Sequence, residues 1–324
     1  MNPVVFIPES ISEAGLSLLE NSCDLIAPWR MGETWSPDRM QAVMRDAEAV
    51  IVRSFEIRAD DITRCLNLRV IARHGVGLDT VDIEAATARR IPVVFTPQAN
   101  ANAVAEHTVA LMMALSRKIG PASRAIENGR FDRRSDFLGV ELAGKTLCVV
   151  GLGRIGLRVA RIAAHGLAMN VCAFDPVIRR EAYEGPAVLE DSIEAALARA
   201  DFLTLHVPLN SQTHHLINRD TLSVCKPGCR LINTSRGGVV EERALVCALD
   251  SGGLAGAALD VFEHEPVPPD HPLVNMPTVL LTPHIASSTS EAMDNMARDA
   301  AQGVLDVLEG RRPRDLANPE VRAC

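Results

Sequence analysis

The sequence predicts an α/β protein with two domains built on parallel β-sheets. The chain has 324 residues, which is more than one ordinary domain holds. Short apolar runs alternate with helical stretches along the whole chain, a pattern typical of parallel strands covered by helices. Hydrophobic residues make up 47% of the chain but aromatic residues only 3%. The cores must therefore consist of Ala, Val, Leu and Ile, which suits helices packed on parallel sheets.

The first third of the chain contains four candidate strands, and helices are predicted between and after them. The strands are Val4–Ile7, Ala49–Val52, Val70–Ala72 and Val93–Phe95. The helices are one that opens with a capping box of Ser10 and Glu13, then Ala59–Cys65, Asp82–Ala88 and Ala103–Ser116. The last of these is apolar on most faces, so we expect it to be buried between domains or at a subunit contact. Residues Asn128–Asp136 are polar and are predicted to form a connection.

Charge and composition exclude several classes of partner. The formal net charge is −8 and no basic run exceeds two residues, which argues against nucleic-acid binding. No apolar run approaches the roughly 20 residues of a membrane span, and no basic segment precedes an apolar one at the N-terminus. The eight cysteines form no CxxC pair, and Cys225 and Cys229 lack further clustered ligands, so we expect no metal. A reduced, cytoplasmic protein is expected.

A glycine loop follows the apolar run Lys145–Val150 and precedes a helical stretch. Its glycines Gly151, Gly153 and Gly156 have the spacing GxGxxG. In a strand–loop–helix unit the first glycine allows the tight turn, the second lets the backbone approach a pyrophosphate, and the third lets the helix pack on the strand. The motif alone is weak, because a plain glycine turn would look the same.

An acidic residue in the following strand strengthens this interpretation. The run Asn170–Phe174 ends in Asp175, near the roughly 20-residue spacing typical of the acid that binds the adenosine ribose. Asp175 could instead be a turn residue before Pro176. With the strand, loop, helix and acid in order, we predict a dinucleotide site. The acid favours NAD over NADP, although Arg179 and Arg180 could soften that preference.

Polar residues follow each later strand-like run, where an open α/β sheet places its ligands. The runs are Phe202–Leu205, Arg230–Ile232, Ala255–Leu259 and Val279–Leu281. His284 has the near-neutral pKa that suits a general base, Arg236 has the planar fork that binds carboxylates, and Glu263 or Glu265 could orient the histidine. Each could also be an ordinary loop residue. Together they suit hydride transfer at the 2-position of a small hydroxy acid.

At these motifs the chain resembles the D-2-hydroxyacid dehydrogenase family, which includes phosphoglycerate dehydrogenases and hydroxypyruvate reductases. The matching segments are Gly75–Asp79, Asn102–Thr108, the glycine loop, Asn233–Gly238, Ala258–Pro266 and Leu280–Ala286. The resemblance implies a Rossmann-type NAD-binding domain inserted into a flavodoxin-like substrate domain. The substrate domain would comprise residues 1–98 and 288–324, and the NAD-binding domain residues 99–287. Members usually dimerise through the cofactor domain, so a homodimer is expected.

The resemblance also implies a role for individual residues. The catalytic set would be Arg236, Glu265 and His284. The cofactor would contact Gly151, Gly153, Arg154, Ile155, Gly156, Asp175, His206, Val207, Pro208, Thr234, Ser235, Arg236, Asp260, His284 and Ala286. The substrate would contact Arg53, Ser54, Val76, Gly77, Asn100, Arg236 and His284.

The substrate itself stays open between phosphoglycerate, hydroxypyruvate or glyoxylate, and acids such as sulfolactate. Arg53, Arg73 and His74 form a concentration of basic groups that favours a substrate with a second polar or anionic group. Alternatively, Arg73 pairs with a nearby acid such as Asp79 or Glu106. Without the C-terminal regulatory domain of the longer phosphoglycerate dehydrogenases, serine feedback is not expected. A rival from another class is an NAD-sensing binding protein related to the family's transcriptional corepressors.

Overall fold

Parallel strands form two separate sheets in the computed structural model, which describes residues 2–321. The strands within that range are β1 (Val4–Phe6), β2 (Asp24–Ile26), β3 (Ala49–Val52), β4 (Val70–Arg73), β5 (Val93–Phe95), β6 (Thr146–Val150), β7 (Asn170–Phe174), β8 (Val188–Leu189), β9 (Phe202–Leu205), β10 (Cys229–Asn233), β11 (Leu254–Leu259) and β12 (Val279–Leu281). Every pairing between these strands is parallel.

Helices connect these strands. The α-helices of the described chain are α1 (Glu13–Leu19), α2 (Pro37–Asp46), α3 (Ala59–Arg64), α4 (Ile83–Ala88), α5 (Ala101–Ser116), α6 (Ile119–Glu127), α7 (Arg154–Arg161), α8 (Ile193–Leu197), α9 (Arg219–Ser223), α10 (Glu242–Asp250) and α11 (Ser290–Leu308). Short 3-10 helices cover Pro28–Met31, Phe131–Phe137, Arg180–Ala182, Gly237–Val239 and Pro272–Asn275, and a short π-helix covers Ile162–Gly166. No helix in the described range is both long and apolar enough to cross a membrane.

The chain divides into two compact units. Unit 1 combines the described residues up to Asn100 with those from Ser288 onward, and unit 2 covers Ala101–Ser287. The strand order of unit 1 is β2-β1-β3-β4-β5, the flavodoxin-like doubly wound order. Unit 2 has the order β12-β11-β10-β9-β6-β7-β8, which is the dinucleotide-binding order extended by one strand. The predicted α/β class with parallel sheets is confirmed.

Unit 1 is closed by the last helix of the described chain. Helix α11 lies against α1 and buries Ala297, Ala300, Ala301 and Val304 in the same core as β1 and β3. The approach is close, because a Cβ atom added to Gly15 of α1 would lie 2.5 Å from the carbonyl oxygen of Ala297. Small residues on both helices therefore let the two backbones touch.

The core of unit 2 follows from its apolar strands. β6, β9 and β10 are each buried along nearly their whole length, as expected for central strands of a sheet covered on both faces. Helix α5 buries nine side chains, which confirms that Ala103–Ser116 is a buried helix, beginning two residues earlier than predicted.

Two local predictions were wrong, and one helix was not predicted. The first helix is capped by Ser12 rather than Ser10, because the hydroxyl of Ser12 accepts the amide of Ala14 at 3.2 Å. Residues Asn128–Asp136 are not a plain connection, since a 3-10 helix begins at Phe131. Helix α6, directly before that segment, was not predicted, because Gly120 and Pro121 in its first turn are poor helix formers.

Candidate active site

The glycine loop of unit 2 forms a cradle at the point where the strand order reverses between β6 and β9. Gly151 has a φ of 90°, and a Cβ atom there would lie 2.6 Å from the carbonyl oxygen of His206 after β9. A Cβ atom on Gly156 would lie 1.9 Å from the carbonyl oxygen of Gly151, whereas one on Gly153 would meet open space. Packing therefore requires glycine at Gly151 and Gly156, whereas Gly153 leaves room above the start of α7, which begins at Arg154.

Asp175 lies beside this cradle, as its spacing predicts. Its carboxylate accepts the amide of Leu152 at 2.8 Å and the amide of Val177 at 2.9 Å, one on each oxygen. Each carboxylate oxygen has a second lone pair, so the group keeps the capacity to accept hydroxyl groups of a ligand. These contacts also fix the carboxylate against the loop.

The residues after β9 line the other side of the reversal point. His206 and Val207 are half-buried and Pro208 is exposed. The ring of His206 lies 3.0 Å from the hydroxyl of Thr204, and loss of solvation lowers the pKa of His206 to about 3. This ring is therefore neutral at neutral pH and adds no charge to the cradle.

His284 and Glu265 form a directly bonded pair. Nδ1 of His284 lies 2.7 Å from Oε2 of Glu265, and the amide of Phe262 donates to Oε1 of the same glutamate at 3.0 Å. Burial raises the pKa of Glu265, but the hydrogen bonds from His284 and Phe262, with the charges of His284 and Arg236, outweigh it and hold that pKa below its ordinary value. The side chains of His284 and Glu265 are 47% and 36% exposed, so a ligand can reach them.

Arg236 lies on the loop after β10, which Asn233 organises. The buried side chain of Asn233 accepts the amide of Ser235 at 3.0 Å and donates to the carbonyl of Arg236 at 2.9 Å. The hydroxyl of the neighbouring Thr234 lies 2.8 Å from that of Thr108 on α5, and both are buried. Arg236 itself donates to the carbonyl of Ser235 at 2.7 Å.

The fully buried carboxylate of Asp260 holds the segment that carries His284. It accepts the hydroxyl of Thr282 at 2.6 Å and the amides of Ile285 and Ala286 at 2.9 and 2.8 Å. His284 has a positive φ of 53°, and its amide donates to the carbonyl of Asp260 at 2.9 Å. The nearby ring of His107 lies 3.6 Å from Asp260. Burial raises the pKa of Asp260, but the nearby ring of His107 and the hydrogen bonds from Thr282 and the two amides bring that pKa below its ordinary value.

In unit 1, the predicted substrate residues lie at the carboxyl ends of three neighbouring strands. Arg53 and Ser54 follow β3, Val76 and Gly77 belong to the loop after β4, and Asn100 comes five residues after β5. Because the three strands are parallel, these residues lie at one edge of the sheet. Asn100 is buried, and its Oδ1 has no hydrogen-bond partner among the described residues.

Glu9 binds the loop after β3. Its carboxylate accepts the amides of Arg53 at 2.8 Å, Ser54 at 2.9 Å and Phe55 at 2.8 Å, and also the Ser54 hydroxyl. Burial raises the pKa of Glu9, but the Ser54 hydroxyl and the three amides outweigh it and hold that pKa below its ordinary value. Three successive amides that converge on one carboxylate form an anion-binding nest. Glu9 was not predicted from the sequence as a residue of this edge.

His74 does not contribute the positive charge that the sequence suggested. It is 2% exposed, and burial, with the charges of Arg53 and Arg73, lowers the pKa of His74 to about 4. At neutral pH the ring is therefore neutral, and the basic groups at this edge are the two arginines. The guanidinium of Arg53 donates to the carbonyl of Ser10 at 3.0 Å, and that of Arg73 donates to the carbonyl of His74.

Comparison with known proteins decides the family. Residues 109–286, more than half of the chain, match the family described as "D-isomer specific 2-hydroxyacid dehydrogenase, NAD binding domain". The chain belongs to this family. The matched range contains the glycine loop, Asp175, Arg236, Glu265 and His284.

The relatives that align with most of this chain differ in name and in length. The chain is 41% identical to the glyoxylate reductase of Thermofilum pendens over 98% of its length and 95% of that protein. It is 42% identical to the D-3-phosphoglycerate dehydrogenase of Archaeoglobus fulgidus over 84% of its length, but it spans only 51% of that protein. The crystal structure of the NADPH-dependent glyoxylate/hydroxypyruvate reductase of Sinorhizobium meliloti, in complex with NADP and malonate, has a TM-score of 0.86 and 28% identity, covering 99% of both chains.

The loop of this family member fits a dinucleotide. Space is open above Gly153, and the first amides of α7 point out of the N-terminal end of the helix, where a phosphate can accept them. Beside them, the carboxylate of Asp175 can still accept hydrogen bonds from a ligand. Within residues 2–321 no cluster of His, Cys, Asp and Glu has a metal-binding arrangement.

Replacing Asp260 with Asn tests how this segment is held. An ionised carboxylate with a lowered pKa contributes stability that is complete above its ordinary pKa of 3.8 and is lost as pH falls through the folded-state value. Asp260→Asn should therefore lower the free energy of unfolding at neutral pH by about 1–3 kcal/mol. The difference from the unmodified chain should shrink below pH 3.8. Urea unfolding at a series of pH values measures it.

The exposed Asp191, whose carboxylate pairs with Arg180, provides the control. Asp191→Asn should change the free energy of unfolding by less than about 0.5 kcal/mol. A loss in Asp260→Asn that is the same at all pH values would contradict an ionised Asp260 in the folded chain.

Proposed function

We propose that this chain reduces a small 2-oxo acid to the D-2-hydroxy acid with NADH, and catalyses the reverse oxidation with NAD. The observation that carries the proposal is the Glu265–His284 pair, which lies in the same NAD-binding unit as Arg236 and the glycine loop. A base or acid, a cation for the carboxylate and a hydride carrier are the three requirements of this reaction. Nothing in the site or the relatives favours the corepressor alternative.

His284 is proposed as the acid and base. Its Nδ1 is bonded to Glu265, so Nε2 is the ring nitrogen left to exchange a proton with the substrate oxygen. Glu265 is ionised at neutral pH and stabilises the protonated ring that reduction consumes. In oxidation, the same nitrogen takes the hydroxyl proton. The bound nicotinamide ring supplies or accepts the hydride.

Arg236 is proposed to bind the carboxylate and the oxo oxygen of the substrate. Its planar guanidinium can donate two parallel hydrogen bonds to a carboxylate, and its charge opposes the negative charge that develops on the oxygen. Asn233 and the Thr234–Thr108 contact fix the backbone beneath it. From the resemblance to the family, we also propose that Thr234 and Ser235, with Asp260 and Ala286, line the nicotinamide pocket.

Unit 1 is proposed as the substrate domain, and unit 2 as the NAD-binding domain. Val76 and Gly77 would bind the substrate carboxylate through their amides. Because Glu9 already occupies the amides and the hydroxyl of Ser54, the substrate contact on that loop is assigned to the side chain of Arg53. Arg53 and the buried Asn100 would contact a second polar or anionic group.

A panel of 2-oxo acids with NADH tests this function. Hydroxypyruvate and pyruvate are the matched pair, because they differ by one hydroxyl group. We expect the acid with a polar or anionic 3-substituent to have a kcat/KM about 10- to 150-fold higher than pyruvate, the range of one charge-assisted hydrogen bond. No NADH consumption with any acid would refute the proposed function. Preference for pyruvate or a bulky apolar acid would refute only the second polar contact.

The same panel run with NADPH tests the cofactor. Asp175 should repel a 2′-phosphate, so kcat/KM should be higher with NADH than with NADPH. Asp175→Ala should reduce this difference in kcat/KM, because the repulsion is removed. Equal use of both cofactors by the unmodified chain would mean that Arg179 or Arg180 offsets the acid.

Substitutions in the catalytic set should separate chemistry from binding. His284→Ala or Arg236→Ala should lower kcat/KM by ~10²–10⁴-fold while NADH still binds, because acid–base or electrostatic help is lost. Glu265→Gln should lower kcat/KM by a smaller factor. As pH rises, the rate of reduction by this variant should fall at a lower pH than in the unmodified chain, since the protonated ring loses its carboxylate partner. Steady-state kinetics against pH measures both effects.

The exposed His165 serves as the control for these variants, and His165→Ala should keep the kinetics of the unmodified chain. Near-normal turnover in His284→Ala would show that another group transfers the proton.

A homodimer through unit 2 is proposed from its exposed apolar side chains. Five large apolar side chains are exposed within 26 consecutive residues, namely Met113, Ile119, Ile126, Phe131 and Leu138. Clusters of exposed apolar side chains usually mark contact surfaces. Sedimentation equilibrium should give the mass of two chains. The double variant Ile119→Glu/Ile126→Glu should give one, whereas Leu66→Glu, at an exposed leucine of unit 1, should not.

We also propose that the chain acts in the cytoplasm. Its seven described cysteines are all free thiols, and five of them are buried. Thiols in this state persist in a reducing compartment. Cell fractionation followed by immunodetection tests this location.

A further inference from the structure

Two glutamates of unit 2 hold each other's backbone. The amide of Glu263 donates to Oε1 of Glu242 at 2.9 Å, and the amide of Glu242 donates to Oε1 of Glu263 at 3.0 Å. Glu242 is the first residue of α10, and Glu263 lies two residues before Glu265. The reciprocal bonds therefore attach the loop that carries Glu265 to the start of a helix.

Two histidines accompany the glutamates. Nε2 of His215 lies 3.0 Å from Oε1 of Glu263, and Nε2 of His271 lies 3.1 Å from Oε2 of Glu242. Because a carboxylate only accepts, the ring of His215 must donate its N–H to Glu263, whereas His271 lies within ion-pair distance of Glu242. Glu242 is buried, and a buried charge is tolerated where hydrogen bonds and partners compensate it. The four side chains thus form one satisfied cluster.

The cluster also holds the loop of Arg236. The amide of His215 donates to the carbonyl of Gly238 at 2.8 Å, so His215 bonds that loop with its backbone and Glu263 with its ring. Gly237 packs directly on the peptide between Phe262 and Glu263, since a Cβ atom on it would lie 1.8 Å from the carbonyl carbon of Phe262. The two loops are therefore in backbone contact.

We propose that Glu263, held by Glu242 and His215, is a positioning residue that sets the placement of the Glu265–His284 pair relative to Arg236. This inference rests on the proposed function. Glu263 touches neither reacting group. The anchored amide of Glu263 lies within the turn in which the amide of Phe262 donates to Glu265. A shift of the Phe262–Glu263 peptide would therefore move Glu265, to which His284 is bonded.

The kinetic consequence falls on turnover rather than on binding. The glycine loop and Asp175 lie on other segments, so NADH binding should not change. A misplacement of about 1 Å in a catalytic group costs up to about 100-fold in rate. Loss of the cluster should therefore lower kcat and weaken the Glu265–His284 bond, with the same direction of pH change as Glu265→Gln.

The test compares Glu263→Ala with Glu263→Gln in the full chain. Glu263→Ala should lower kcat for hydroxypyruvate reduction by about 10- to 100-fold. KM for NADH should not change, and the fall of kcat should move to lower pH. Glu263→Gln keeps a carbonyl acceptor for the amide of Glu242 and for His215, so it should recover most of the loss. The control is His264→Ala on the same loop, an exposed side chain that should leave kcat unchanged.

Combination with Glu265→Gln sharpens the test. If Glu263 acts through Glu265, the double variant Glu263→Ala/Glu265→Gln should be little worse than the worse of the two single variants. Independent, multiplied losses would overturn the inference. So would equal losses in Glu263→Ala and Glu263→Gln with an unchanged pH profile, because those indicate a purely structural role.

His215→Gly keeps the inference testable if Glu263→Ala does not fold. His215 has a φ of 50°, a conformation that glycine adopts freely, so the variant removes the ring without new backbone strain. It should lower kcat and move the pH profile in the same direction; unchanged values for both would overturn the inference.

An NMR titration of the His284 ring separates this inference from the proposed function. If the unmodified chain reduces no acid, the function is refuted. The midpoint of the ring titration in His215→Gly still decides the inference, because a shift to lower pH supports it and no shift overturns it.

Discussion

The carboxylate of Asp260 is the constraint on which the geometry of the site depends. It is fully buried at the end of β11 and accepts the Thr282 hydroxyl and two amides of the segment after β12. Those bonds hold His284 in a left-handed conformation that a non-glycine residue rarely adopts. Without an anchor of this kind, this unfavourable conformation would lose its stabilisation, and the imidazole would no longer be fixed beside Glu265. One interaction between neighbouring strand ends therefore determines where the proposed proton donor lies.

Both units use the carboxyl edge of a parallel sheet, but they use its reversal point differently. In unit 2 the reversal between β6 and β9 is left open above Gly153. In unit 1 the reversal lies between β1 and β3, and there the carboxylate of Glu9 fills the nest of amides after β3. The backbone amides after β3 are therefore not available to a ligand at unit 1, which leaves the side chain of Arg53 and the loops after β4 and β5. This agrees with the assignment of Val76, Gly77 and Asn100 to the substrate.

Local signals explain what the sequence could predict. Central strands such as β6 and β9 are continuous apolar runs, so their ends, and the residues after them, could be located without a structure. The glycine loop and the distance to Asp175 belong to one strand–helix–strand unit, and the structure places them together. The Glu265–His284 pair joins two neighbouring strand ends and could be expected once both strands were recognised.

Long-range contacts and burial explain what the sequence could not predict. Glu9 meets the loop after β3 from 44 or more residues away, and no local pattern distinguishes it from Glu13 or Glu20. The loss of charge on His74 depends mainly on its burial and on the charge of Arg53, neither of which the Arg73–His74 dipeptide reveals. The strand pattern alone did not separate Glu263 from Glu265, and the resemblance to the family was needed to assign Glu265. Their partners distinguish them in the structure. Glu263 is bonded to His215 and Glu242, which fits the proposed positioning role, whereas Glu265 is bonded to His284, which fits the proposed catalytic role.

The charges around the proposed substrate residues oppose one another, and that balance bears on specificity. Arg53 and Arg73 bring positive charge to the edge of unit 1, but ionised Glu9 lies against the backbone of Arg53, and His74 is neutral. The net field is therefore weaker than the count of basic residues suggests. A weak field still favours a hydroxyl or a single anionic group, because directional hydrogen bonds from Arg53 and Asn100 do not require a large net charge. It gives less added stabilisation to a doubly charged phosphate. Among the substrates that the sequence leaves open, the electrostatics of this edge favour the smaller, less charged oxo acids.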